Sequence, residues 1–202
     1  MPTSIDWSVI LALVSGIGLA AAAGFRVFVP LLLLAVAARA GVVPLAPSFA
    51  WLSSDAALIT LGSACALEIG AYYIPWLDHA LDVIAAPAAV VAGSIAVAAP
   101  LAGFDPWLAW AVGIVAGGGA AGLVQGATIF ARGVSLIATG GLGNPIVATA
   151  ENALAILVAA MAILVPVLGV LAVGVALFII IRRVQRAKTR RQREPASLAV
   201  AA

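Results

Sequence analysis

The chain has 202 residues, of which 65% are hydrophobic and 9% charged, with a mean hydropathy of +1.23, whereas soluble domains carry about 25% charged residues. This composition excludes a water-soluble enzyme, a nucleic-acid-binding domain and a disordered regulator, and it points to an all-α polytopic membrane protein. The net charge of +2 is divided unevenly: seven of the ten Lys and Arg residues lie between Arg182 and Arg193, while the body before them sets Arg26, Arg39 and Arg132 against seven acids, a net −4.

The stretch Met1–Asp6 has no basic cluster, so the first apolar run, Trp7–Phe25, reads as a retained membrane segment and not a cleaved signal peptide. A second run covers Val27–Ala38. A loop of Pro and Ser residues follows over 39–54, then an apolar run Ala56–Ile74 interrupted by Glu68, and a turn at Pro75-Trp76-Leu77-Asp78-His79. The next run, Val83–Ala102, ends in the turn Gly103-Phe104-Asp105-Pro106. Trp107–Ala131 and Gly133–Thr139 lead to Gly140-Gly141-Leu142-Gly143-Asn144-Pro145, where Asn144 suits an N-cap and Pro145 the first helical position. The last apolar stretch, Ala153–Ile181, has 29 residues, with Pro166 and Gly169 near its middle favouring a tight hairpin. Trp7, Trp51, Trp76, Trp107 and Trp110 all fall at or beside span ends, as interfacial anchors do. The basic segment after the last span places the C-terminus in the cytoplasm, with 187–202 a tail expected to be disordered. Threading the spans backwards places the N-terminus there too, with Arg39 inside and Asp78, His79 and Asp82 outside.

Residues 8–40 and 107–139 are each 33 residues long and apolar, with small or polar residues near the middle. A straight helix of that length would run about 50 Å, so each segment reads as two short helices meeting at a break. Gly16, Ala20 and Gly24 recur at four-residue spacing before the first break, and Gly118, Gly122 and Gly126 before the second, at a constant offset of 102 that Phe28 and Phe130 share. Two pseudo-repeats follow, about 7–103 and 104–186, each a broken, re-entrant-like hairpin plus a transmembrane helix pair, within one transmembrane domain over 1–186. The expected helix breaks are Gly24, Gly126 and Gly143. Small residues at this spacing equally suit plain helix packing.

Charges inside the hydrocarbon are costly, so Arg26, Glu68, Arg132 and Glu151 are expected to face inward and find partners. The simplest pairing sets two arginines against two glutamates as structural ion pairs. Against that, Arg26 follows the first break, where its fork would suit a carboxylate or other oxyanion. Tyr72 lies one turn from Glu68, within reach of a carboxylate–phenol hydrogen bond. Glu151 adjoins Asn152 and follows the helix start at Asn144, and Gln125 suits a polar wall or an interhelical hydrogen bond. The substrate-binding candidates are therefore Arg26, Glu68, Gln125, Arg132, Asn144 and Glu151. Asp78-His79-Ala80-Leu81-Asp82 reads as a solvated turn and helix cap, with too few converging ligands for a metal. The single cysteine, Cys65, excludes an intramolecular disulfide. Nucleophile-elbow, zinc-protease and Walker motifs are absent, so neither catalysis, nor a cofactor, nor ATP-driven transport is expected.

Several strings carry a resemblance: Ala23-Gly24-Phe25-Arg26-Val27-Phe28-Val29-Pro30, Leu67-Glu68-Ile69-Gly70-Ala71-Tyr72-Tyr73-Ile74-Pro75-Trp76-Leu77-Asp78, Ala86-Pro87-Ala88-Ala89-Val90-Val91-Ala92-Gly93, Ile114-Val115-Ala116-Gly117-Gly118-Gly119, and Gly140-Gly141-Leu142-Gly143-Asn144-Pro145 followed by Glu151. Over about residues 8–180 the chain resembles a bacterial membrane family, domain of unknown function 4126. The resemblance implies a multi-pass inner-membrane protein whose motif residues include Arg26, Glu68, Asp78, Asn144 and Glu151, and it brings no activity with it. The residues themselves point to a small transporter or channel-like protein for an anionic solute or lipid headgroup, with proton coupling at Glu68 or Glu151. The other reading is a non-transporting membrane scaffold or accessory subunit. The implied partners are the lipid bilayer and a small solute, ion or lipid, with no nucleic acid; a homo-oligomer is compatible with both readings.

Overall fold

The computed structural model describes residues 7–166 and Arg182, with 75–82 described by backbone alone. The turn expected at Gly169, the basic segment after Arg182 and the 187–202 tail lie outside the described residues. Among the described residues every regular element is helical. In chain order these are α1 (Trp7–Ala23), α2 (Phe28–Arg39), a 3-10 segment (Pro47–Ser53), α3 (Asp55–Ala71), α4 (Pro75–Ala98), α5 (Pro106–Val112), a π segment (Gly113–Gly118), α6 (Gly119–Thr139) and α7 (Asn144–Pro166).

Local chemistry explains most of the boundaries. Prolines open the 3-10 segment, α4 and α5, where a missing N–H costs nothing. Ser54 caps α3, its hydroxyl accepting from the Ala57 N–H at 3.2 Å, with Asp55 in the first turn. α6 stops at Gly140, whose φ of 63° is left-handed and therefore suits glycine. The Gly143 carbonyl accepts the first bonds of α7, from the Ile146 and Val147 N–H groups, so Gly143 and not Asn144 occupies the capping position.

Two helices are long and apolar enough to cross a membrane: Pro106–Thr139, with 34 residues, and Asn144–Pro166, with 23. The 3-10 segment and α3, meeting at 64°, make a third if the bent pair is one span. α4 is central, packing on α1, on the π segment and on α6. The closest approach is backbone to backbone: a Cβ at Gly93 would sit 2.6 Å from the Gly117 carbonyl oxygen, and one at Gly117 would collide with the Gly93 carbonyl. Small residues bring helices this close, and in a lipid environment such packing supplies much of the association.

The contacts also fix direction. The Ala46 N–H donates to the Ala99 carbonyl at 2.8 Å, joining the 40–54 connection to the α4–α5 turn at one end. Arg39 pairs with Asp55 at 2.6 Å and donates to the Ser53 carbonyl at that same end. At the other end the Tyr73 and Thr149 hydroxyls lie 3.1 Å apart, joining the α3–α4 turn to the start of α7. α1 runs from the first end, with Gly16 against Val97 and Gly24 against Ala121 and Val124. α2 returns beside α3, from Glu68 at its start to Asp55 at its finish.

The second long segment departs from expectation. Residues 106–139 form one helix without a break, and Gly126 sits inside α6 facing open space. Gly24, in contrast, lies between two helices. The difference has a physical cause. The amides that start α2 find an acceptor on α3, whereas those around Gly126 keep their own helical bonds. The 34-residue helix runs about 50 Å, and Trp107 at its start is exposed. The expected stripe is also shifted. In an α-helix a four-residue step overshoots the turn by about 40°, and the wider π turn offsets that drift, so Ala109, Gly113, Gly117, Ala121, Gln125, Thr128 and Arg132 share one buried face.

Candidate functional site

The polar interior is built at the α1–α2 break. α1 ends as the Phe25 and Arg26 N–H groups both bond to the Ala22 carbonyl, at 3.0 and 3.1 Å. α2 then begins with no side-chain cap of its own, since Val27 has no acceptor. Glu68, on α3, does the capping: Oε1 accepts from the Val27 N–H at 2.7 Å and Oε2 from the Phe28 N–H at 3.0 Å. A carboxylate at a helix N-terminus satisfies orphan donors and meets the positive end of the helix dipole.

Arg26, 1% exposed, leaves the break in the opposite sense and reaches α7. Its Nη1 donates to Glu151 Oε2 at 3.0 Å and to the Phe25 carbonyl at 3.1 Å, Nη2 donates to the Ala148 carbonyl at 3.2 Å, and Nε donates to Asn152 Oδ1. Arg132 comes from α6 to the same carboxylate, with Nε on Glu151 Oε1 at 3.1 Å and Nη2 on Oε2. Glu151 thus bridges two guanidinium groups from separate elements, and all three side chains are buried. Tyr72 closes the group: the Cζ atoms of Arg26 and Arg132 lie 3.9 and 4.1 Å from its ring centroid. Each such cation–π contact contributes up to about 2 kcal/mol when desolvated.

Both arginines meet on Glu151, and Glu68, near both of them, holds the start of α2. The opposed seven-residue offsets of Arg132 from the end of α6 and Glu151 from the start of α7 place the ion layer about 10 Å inside the α6–α7 turn. Gln125 and Asn144 are buried two turns away, on the faces that carry Arg132 and Glu151 respectively. Gly143 lies in the α6–α7 turn, its N–H on Thr139 Oγ1 at 2.9 Å, and Gly126 lies apart from the site.

Three contributors were not singled out as site residues in the sequence. Asn152 orients Arg26, and its Nδ2 donates to the Tyr73 hydroxyl at 3.4 Å. Tyr73 links that amide to Thr149 and is 45% exposed. Tyr72 supplies a ring face to both arginines. The available signal was the spacing itself: Asn152 directly follows Glu151, and Tyr72 stands one turn from Glu68. Among the described residues no group of three or more His, Cys, Asp or Glu side chains is placed to hold a metal ion.

Among the described residues these features define an all-helical chain with helices long and apolar enough to cross a membrane and a buried charged cluster at a helix break. The sequence pattern of the family described as domain of unknown function (DUF4126) matches residues 13–186, and the chain belongs to that family. No curated protein and no solved structure matches the chain.

Proposed function

We propose that the chain is a small transporter or channel-like protein of a bacterial inner membrane, without catalytic chemistry, handling a small anionic solute or a lipid headgroup. The observation that carries this reading is the meeting of Arg26 and Arg132 on one carboxylate beside a helix break. A helix interrupted at membrane depth costs hydrogen bonds and is tolerated where protein or a wet cavity surrounds it. Discontinuous helices that aim an N-terminus and charged side chains at one point are a recurring way to build substrate sites in transporters. On this reading α1 and α2 form a re-entrant hairpin that enters and leaves on one side, and the end carrying Arg39 is cytoplasmic. The matched glycine spacings are then the trace of a duplicated unit whose second copy runs straight.

The test is flux in proteoliposomes, with methanesulfonate as a permanent monoanion. Wild-type protein is expected to carry it above the empty-liposome rate, and Arg26→Ala and Arg132→Ala to abolish the excess. Equal leakage in all three overturns the transport reading.

A second reading is favoured by the Gly93–Gly117 contact and by the tight burial of the triad: a scaffold or accessory subunit whose ion pairs lock its own helices. It predicts no flux, with thermal stability lowered when Arg26 or Glu151 is neutralised.

A further inference from the structure

We propose that Glu151 is the carboxylate an incoming oxyanion replaces between Arg26 and Arg132, and that it takes up one proton from water as it yields that place. This inference rests on the transport reading and supplies its coupling. Glu151 uses both oxygens on the two arginines, Oε1 on Arg132 and Oε2 on both. An anion cannot therefore bridge the guanidinium groups while the carboxylate stays in position. A displaced carboxylate, buried and charged, loses its partners in a medium that solvates it poorly, which is far costlier than losing them in protonated form. Arginine holds its proton throughout, so the proton goes to the Glu151 carboxyl.

The other titratable groups that the described elements bring to this point do not serve equally. Glu68, on α3, is engaged by the first two amides of α2, and its release would uncap that helix. Tyr72, which caps the end of α3, offers its ring face to both arginines. Tyr73, beyond the end of α3, is 45% exposed and hydrogen-bonded to Thr149 and Asn152 of α7, so a polar chain runs from the protein surface through Asn152 to Arg26. That chain sets an exposed hydroxyl two hydrogen bonds from the guanidinium group of Arg26.

The ligand chemistry is a monoanionic oxyanion offering two oxygens, which a free solute and a phosphodiester headgroup share. The test is calorimetric titration of the full chain in phosphatidylcholine nanodiscs with methanesulfonate, at one pH in imidazole and in Tris. Saturable heat is expected, with a buffer dependence corresponding to about one proton taken up per anion and an affinity that falls about tenfold per pH unit as pH rises. In Glu151→Gln, binding is expected to persist with no proton uptake. Loss of the heat in discs containing phosphatidylglycerol identifies the headgroup as occupant, and equal heat in both disc types identifies the free anion; either supports the proposal when proton uptake accompanies binding. Wild-type binding without proton uptake, no saturable binding in either disc type, or undiminished uptake in Glu151→Gln overturns it. Binding with proton uptake but no flux overturns the transport reading alone, whereas flux independent of pH overturns the coupling alone.

Discussion

Gly117→Ala is predicted to destabilise the protein although alanine is the better helix former. In an open helical position the change gains about 1 kcal/mol in helix propensity, and Gly126, where an added methyl would meet nothing within 4 Å, is such a site. At Gly117 the added Cβ collides with the Gly93 carbonyl and comes within 2.8 Å of Val97 Cγ2. The obstacle is mainly backbone, so rotamer changes give no relief and α4 must move away from the π segment. Overpacking of this kind costs about 1–3 kcal/mol, and the methyl's propensity gain offsets only part of it. Separation also loosens the neighbouring contact of Gly113 with the Ser94 carbonyl, where a Cβ would lie at 2.6 Å, which puts the expected penalty at the upper part of that range. At about 2–4 °C per kcal/mol for a chain of this size, thermal unfolding in detergent should show a drop of several degrees for Gly117→Ala and no drop, or a small rise, for Gly126→Ala. Equal shifts in the two variants would refute the reasoning, because they would mean that helix propensity and not close approach governs this seam.

Two further predictions concern the charges. Glu68→Gln keeps one acceptor oxygen but loses the carboxylate, and since hydrogen bonds to charged groups contribute about 1.5–3 kcal/mol, it should lower stability by up to that amount and speed amide exchange at Val27 and Phe28 more than at Ala57; unchanged exchange there would separate Glu68 from the α2 start. Glu151→Ala leaves two buried guanidinium groups facing each other without their shared carboxylate, a loss of about 3–5 kcal/mol by analogy with broken buried pairs, and Glu151→Gln should lose less because it still accepts from Arg26; the order of the two melting temperatures is the check.

The charged residues are legible in the sequence because an ionised side chain among apolar neighbours has few solutions. That is why Arg26, Glu68, Arg132 and Glu151 stand out from the residue order alone. Their pairing is a different matter. Glu68 and Glu151 look equivalent as isolated acids in apolar runs, and only the position of the α2 start, beside α3, decides that one caps a helix and the other bridges arginines. The α1–α2 break and the straight 106–139 helix expose the same limit. Glycines at four-residue spacing precede both midpoints, and glycine weakens a helix without specifying whether it stops. What stops it at Gly24 is an acceptor supplied from another helix, a long-range fact that no local window carries. Tyr72 and Tyr73 adjoin the ion layer because the α3–α4 turn and the start of α7 meet at one end, a long-range contact that residue order does not carry.

Whether the Arg26–Glu151–Arg132 cluster passes a small oxyanion across the bilayer is tested most directly by methanesulfonate flux into proteoliposomes, with and without an imposed pH gradient. Uptake into wild-type vesicles is expected to rise when the outside is acidic and to vanish in Arg26→Ala, with Gly126→Ala transporting like wild type. Uptake that matches empty liposomes at every gradient, from protein shown to be folded by its melting transition, would contradict that role.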